Sequence, residues 1–170
     1  KKAKDNQQVL NLIDKGLILS DTCPPDLSPS LVIASPGIPQ THPLIKLAKK
    51  NMWELIGEIE LACRFLPNRM LGVTGTNGKT TVTLLVSHVL NQSGISAHAL
   101  GNSGVPLTEF LRSSQRTDDD VLVIELSSFQ LETLQARCLE AAVLLNITPD
   151  HLDRYGNMHA YASAKRRIGS

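Results

Sequence analysis

Residues 70–92, MLGVTGTNGKTTVTLLVSHVLNQ, constrain the fold more than any other stretch. An apolar run meets a turn holding Gly75 and Gly78, and beyond it apolar residues recur at helical spacing until Gly94. Strand, glycine-rich turn and helix opening at Gly78-Lys79-Thr80 make up the setting that a phosphate-binding loop requires. The glycines let the backbone approach a phosphate and turn successive N–H groups toward it. The helix start adds a positive dipole, and Lys79 a full charge for β- and γ-phosphates. Gly75, Thr76, Asn77, Gly78, Lys79, Thr80 and Thr81 are therefore the expected residues of a nucleotide-phosphate site, with the Thr80 hydroxyl as a ligand for Mg2+. The loop departs from the stricter glycine spacing, because Val73 stands five residues before Gly78.

The rest of the chain repeats the alternation of short apolar runs and helical patterns. Residues 7–15 read as the end of a helix stopped by Gly16, 31–34 (LVIA) as a buried strand, 43–50 as a helix and 53–56 as the next strand. After the loop and its helix come strands at 96–100, 121–126 (VLVIEL) and 141–147 (AAVLLNI). The last two are continuous apolar runs, as expected of parallel strands buried on both faces. Such alternation implies an α/β doubly wound architecture. A domain boundary is expected near Gly57, with 58–66 as the connecting helix, dividing the chain into 1–57 and 58–170.

Composition narrows the function classes. The 170 residues are 42% apolar and 19% charged, ordinary for a globular protein with a core, and the formal net charge of +1 gives no bulk attraction to nucleic acid or a membrane surface. No apolar run approaches the ~18 residues of a membrane span, and KKAKDNQQ makes a poor signal peptide. Cys23, Cys63 and Cys138 are odd in number and far apart in sequence, which suggests reduced thiols in a cytosolic protein. A start at Lys1 and a stop at Ser170 directly after a helix-like stretch lead us to expect a piece of a longer protein.

A phosphate loop needs an acid to hold its metal, and VLVIE supplies Glu125 at the end of a buried strand. Glu132, in LSSFQLE, reads as an ordinary helix residue. ITPDHLDRYG places Asp150, His151 and Asp153 after an apolar strand, where sites in α/β sheets lie. Asn102, between glycines in GNSGVP, reads equally as a turn or a contact. Lys165 in ASAKRR reads by composition as part of a solvated basic cluster.

Taken together, TGTNGKTT, GNSG, ELSSFQLE, NITPDHLDRYG and AYASAK, in this order, resemble the Mur ligase family of ATP-dependent amide-forming enzymes of peptidoglycan precursor synthesis. ELSSFQLE and SPGI with GEIEL are most similar to the members that add D-glutamate to UDP-N-acetylmuramoyl-L-alanine. The resemblance implies a Rossmann-like UDP-sugar-binding domain, of which 1–57 is the end, and a P-loop-type, mostly parallel central ATPase domain, of which 58–170 is the beginning. It implies transfer of the ATP γ-phosphoryl group to a carboxylate, then attack by the D-glutamate amine on the acyl phosphate. Lys79, His151 and Lys165 would be catalytic. Thr80 and Glu125 would hold one Mg2+, and His151 a second beside Lys165 carbamylated by CO2. Gly37, Asn102 and His151 would contact the UDP-linked substrate. A bacterial cytoplasmic monomer is expected, without nucleic-acid or membrane partners and inactive as these 170 residues alone. The alternatives are a family member adding another amino acid, a kinase or GTPase (though no Asn-Lys-x-Asp-like segment appears), and a nucleotide-binding module without ligase activity.

Overall fold

The computed structural model describes residues 7–18, 20 and 26–170; Cys23 lies outside them. A helix, α1 (Gln7–Ile13), precedes the first strand. Among the described residues the six strands form two wholly parallel sheets. The smaller pairs β1 (Val32–Ala34) with β2 (Leu55–Gly57), bringing Val32 opposite Leu55 and Ala34 opposite Gly57. Their crossover is α2 (Pro43–Lys50), which has proline in its first turn, Lys49 and Lys50 in its last, and Ile45 and Ala48 buried.

The larger sheet contains β3 (Met70–Thr74), β4 (Ala97–Gly101), β5 (Val121–Glu125) and β6 (Ala141–Leu144) in the order β4-β5-β3-β6. Between them run α4 (Lys79–Gln92), α5 (Leu107–Leu111) and α6 (Ser128–Leu131); α7 (Leu152–Tyr155) and α8 (Met158–Arg166) follow β6. All five residues of β5 are buried, as its apolar run requires. The same expectation fails at β6, where Ala141, Ala142 and Val143 are exposed. The physical reason is position: among the described residues β6 is the outermost strand and pairs only with β3. Among the described residues no helix is long and apolar enough to cross a membrane.

The helix α3 (Glu58–Cys63) directly follows β2, yet its Ile59 and Ala62 belong to the core of the larger sheet, with Met70, Leu122 and Leu131. A carboxylate fixes it there. Glu60 is 3% exposed; one of its oxygens accepts from the main-chain N–H of Gln135 (2.8 Å) and Ala136 (2.7 Å), the other from the Arg64 guanidinium (3.1 Å). Burial alone would raise its pKa, but these donors together hold it below the usual carboxylate value. Replacement by alanine leaves two main-chain donors without their acceptor. Glu60→Ala is therefore expected to lower unfolding stability by about 2–3 kcal/mol, read from urea denaturation midpoints.

Candidate active site

The C-terminal ends of parallel strands are where an α/β sheet presents its ligands, and β3, β4, β5 and β6 all end on that side. The Thr74 hydroxyl donates to Leu126 O (2.7 Å), tying the end of β3 to the chain leaving β5. The turn that follows reaches α4 through Gly78, whose φ of +83° is a left-handed conformation natural to glycine. The turn is stitched to the segment after β6. Thr76 N donates to Asn146 O (3.0 Å), Asn77 N to Asn146 Oδ1 (2.9 Å) and Thr148 N to Thr76 Oγ1 (3.0 Å). The Thr76 and Asn77 N–H groups are thus spent on holding the loop's shape. Donors for an anion come instead from the first turn of α4, where the helix leaves its N–H groups without internal partners. Gly78 and Thr81 are exposed there, and the Lys79 Nζ folds back on Thr76 O (3.0 Å).

Glu125 ends β5 beneath this loop, opposite Val73 of β3 and Gly101 of β4. It is 2% exposed; Oε2 accepts from the Thr80 hydroxyl (2.7 Å) and Oε1 from the Asn102 amide (2.9 Å). Gly101 makes this approach possible, since its φ is +107° and a Cβ there would collide with Glu125 O. The carboxylate–hydroxyl pair is an all-oxygen donor set suited to Mg2+. Among the described residues no group of three or more His, Cys, Asp or Glu side chains could hold a metal ion. A cation at Thr80 and Glu125 would therefore complete its shell with phosphate oxygens and water, as Mg2+ commonly does.

Lys165 is not solvated, contrary to the compositional reading. It lies on the inner face of α8 with 2% exposure, its Nζ donating to Gly75 O (2.7 Å) and standing 4.9 Å from the centre of the Tyr161 ring. Burial and the nearby charge of Lys79 push its pKa down to about 8, against a weaker upward pull from Asp150. Part of the amine is then neutral and nucleophilic at mildly alkaline pH. Tyr161, which sequence reasoning missed, is buried and shares a hydrogen bond with Thr76 Oγ1 (3.2 Å). Its ring also meets that of His151 edge-on at 6.3 Å.

His151 heads α7 with a φ of +51°, uncommon for a residue with a Cβ. Its N–H donates to Asp150 Oδ1 (2.9 Å), its Nε2 lies 3.5 Å from Asp150 Oδ2, and its ring packs on Phe129. Backbone strain of this kind clusters at functional sites. His151 and Gly37 line one cleft of about 680 Å3, with Gln40, Phe129, Glu132 and Arg154. Glu132 proves to be more than an ordinary helix residue. It accepts from Tyr155 OH (2.6 Å), Arg154 Nη2 (2.9 Å) and Gln40 Nε2 (3.0 Å), so it ties the segment after β1 to α7. Arg154 also lies over the Phe129 ring at 4.0 Å and reaches Pro36 O (3.4 Å). The ELSSFQLE motif contained Glu132, but nothing in its spacing revealed partners so distant in sequence.

Tyr161 links the parts of the site, through its hydrogen bond to Thr76 and its ring contact with His151. Lys79, Thr80, Asn102 and Glu125 surround the start of α4; Lys165 and Tyr161 lie under its loop, and His151 and Gly37 line the cleft alongside. The Mur ligase middle domain family matches residues 73–170, and the chain belongs to the Mur ligase family. It is 51% identical over 168 residues to the UDP-N-acetylmuramoylalanine--D-glutamate ligase of Protochlamydia amoebophila (strain UWE25), covering 97% of this chain and 37% of that protein. The enzyme of the same name from Desulfatibacillum aliphaticivorans is 44% identical over 138 residues, covering 81% of this chain and 30% of the relative. The chain thus spans only about a third of the length of these relatives. In fold it is similar to the UDP-N-acetylmuramate:L-alanyl-gamma-D-glutamyl-meso-diaminopimelate ligase of Neisseria meningitides, with a TM-score of 0.53 at 19% identity over 82% of this chain and 48% of that one.

The buried Lys165 cation costs stability wherever it stays protonated. Its folded pKa lies below the unfolded value, so the unfolded chain binds more protons and stability rises as pH climbs from about 8 toward the ordinary lysine value. Lys165→Met is expected to raise the unfolding midpoint in CO2-free buffer at about pH 6.5, and to raise it less at about pH 9.5. Thermal unfolding of both forms at the two pH values measures this.

Proposed function

We propose that this chain is the phosphoryl-transfer core of a bacterial cytoplasmic ligase that joins D-glutamate to UDP-N-acetylmuramoyl-L-alanine, with ATP as the energy source. The observation that carries the reading is the juxtaposition of a phosphate loop, a buried Glu125 hydrogen-bonded to Thr80, and a cleft shared by Gly37 and His151. The names of the two relatives supply the substrates. We further propose that residues 1–57 belong to the UDP-sugar domain and 58–170 to the central ATPase domain, and that the protein acts as a monomer.

In this reading the loop from Gly75 to Thr81 seats the triphosphate, and Lys79 offsets the negative charge on the transferred group. The UDP-linked substrate lies in the cleft, with Gly37 beside its diphosphate and Asn102 and His151 beside the moiety that reacts. The γ-phosphoryl group passes from the ADP oxygen to the substrate carboxylate. The D-glutamate amine then attacks the acyl carbon, the amide forms, and phosphate departs. Thr80 and Glu125 would hold one Mg2+, and His151 with a Lys165 carbamate a second; bound there, they would draw charge from the phosphoryl oxygens. An unmodified Lys165 cation does not suit such a site. Its lowered pKa favours reaction with CO2, because the neutral amine is the nucleophile.

A chimera in which this chain replaces the matching segment of the Protochlamydia amoebophila relative tests the proposal, once a cooperative melt shows that it folds. Phosphate release should need both UDP-N-acetylmuramoyl-L-alanine and D-glutamate. Lys79→Ala and His151→Ala should each slow it on the order of 10²–10³-fold. Stimulation by a different amino acid would transfer the chain to another branch of the family, and release needing no amino acid would leave only a nucleotide-binding module. The Lys165 assignment has its own readout: 13C-labelled bicarbonate should give a carbamate resonance that Lys165→Ala removes.

A further inference from the structure

Cys63 closes α3 and Cys138 precedes β6, 75 residues apart in sequence, yet their sulfurs are hydrogen-bonded at 2.7 Å. The sulfurs do not set this approach unaided. Three residues before Cys63, Glu60 binds the N–H groups of Gln135 and Ala136, so the two backbone segments are already pinned side by side. Met70 Sδ lies 3.6 Å from Cys63 Sγ, and both cysteines pack against the main core. Each is half-buried, which leaves a small oxidant a path to the pair.

We propose that Cys63 and Cys138 form an oxidisable dithiol, converted by a hydroperoxide into an intramolecular disulfide that ties α3 to the approach of β6. The Cys138 thiolate attacks one peroxide oxygen, the O–O bond breaks, and hydroxide or alkoxide leaves, giving a sulfenic acid on Cys138. Cys63 sulfur then attacks the Cys138 sulfur. The S–S bond forms, the S–O bond breaks, and water leaves with the Cys63 proton. Two thiols lose two electrons and the peroxide gains them, so with hydrogen peroxide the products are one disulfide and two waters. The order of events follows from the acidities. The hydrogen bond between the two sulfurs holds the Cys138 thiol below its ordinary value against the effect of burial, whereas that same bond, burial and the carboxylates of Glu60 and Glu58 push Cys63 up.

The covalent loop would enclose β3, α4, β4, α5, β5 and α6, and with them the phosphate loop and Glu125. This inference does not depend on the ligase reading, and it is tested on the folded 170-residue chain itself. Hydrogen peroxide should remove two of its three titratable thiols. A non-reducing peptide map should show the Cys63–Cys138 link, and dithiothreitol should restore both thiols. Cys23→Ser should keep the link and the rise in unfolding midpoint that a loop closure brings. Cys63→Ser should lose the link and leave a Cys138 sulfenic acid that dimedone traps. A link that includes Cys23, links only between chains, or three thiols that persist through peroxide treatment would overturn the proposal.

Discussion

The Glu125 carboxylate, taking one hydrogen bond from Thr80 and another from Asn102, is the contact through which the rest of the site is organised. It brings together the ends of three elements, the start of α4, the end of β5 and the turn after β4. That meeting depends on the parallel register of β4, β5 and β3, which sets Gly101 and Val73 both opposite Glu125. A one-residue slip would send the carboxylate to the other face of the sheet. Such a slip would also exchange every side chain that β5 packs on its two buried faces. Packing and chemistry are thus enforced by the same five residues.

Around that centre the structure uses main-chain groups that a plain phosphate loop would have left to its ligand. Asn146 takes up Thr76 and Asn77, and Lys165 caps the Gly75 carbonyl from below. The loop therefore has its shape fixed by protein partners, and preorganisation of this kind lowers the ordering cost at binding. Glu132 does similar work for the cleft, where one carboxylate gathers Gln40, Arg154 and Tyr155.

Local pattern made the phosphate loop, α2 and α4 legible in the sequence, since capping glycines, a leading proline and helical spacing are all short-range signals. Glu125 could be found because it ends an unbroken apolar run. The exposure of β6 could not, because an apolar run looks the same in the middle of a sheet as at its edge. Composition alone leaves Lys165 in solvent for a related reason: it counts charges, while burial depends on which face of α8 turns inward. Tyr161, Glu132 and the two meeting cysteines escaped for want of any local signature. Their partners lie tens of residues away, and only the folded topology joins them.

The outer position of β6 among the described residues leaves one side of its ladder for a further strand. An edge strand offers a row of N–H and C=O groups aligned for pairing, and here the side chains around that row include Val143 at 41% exposure. Natural edges are blunted by charge, proline or a bulge; among the described residues β6 carries only Ala, Ala, Val and Leu. Among the described residues no strand pairs with that side of the sheet. Any strand of fitting length that reaches it, whether from the same polypeptide or a neighbour, completes a ladder that the four strands have begun.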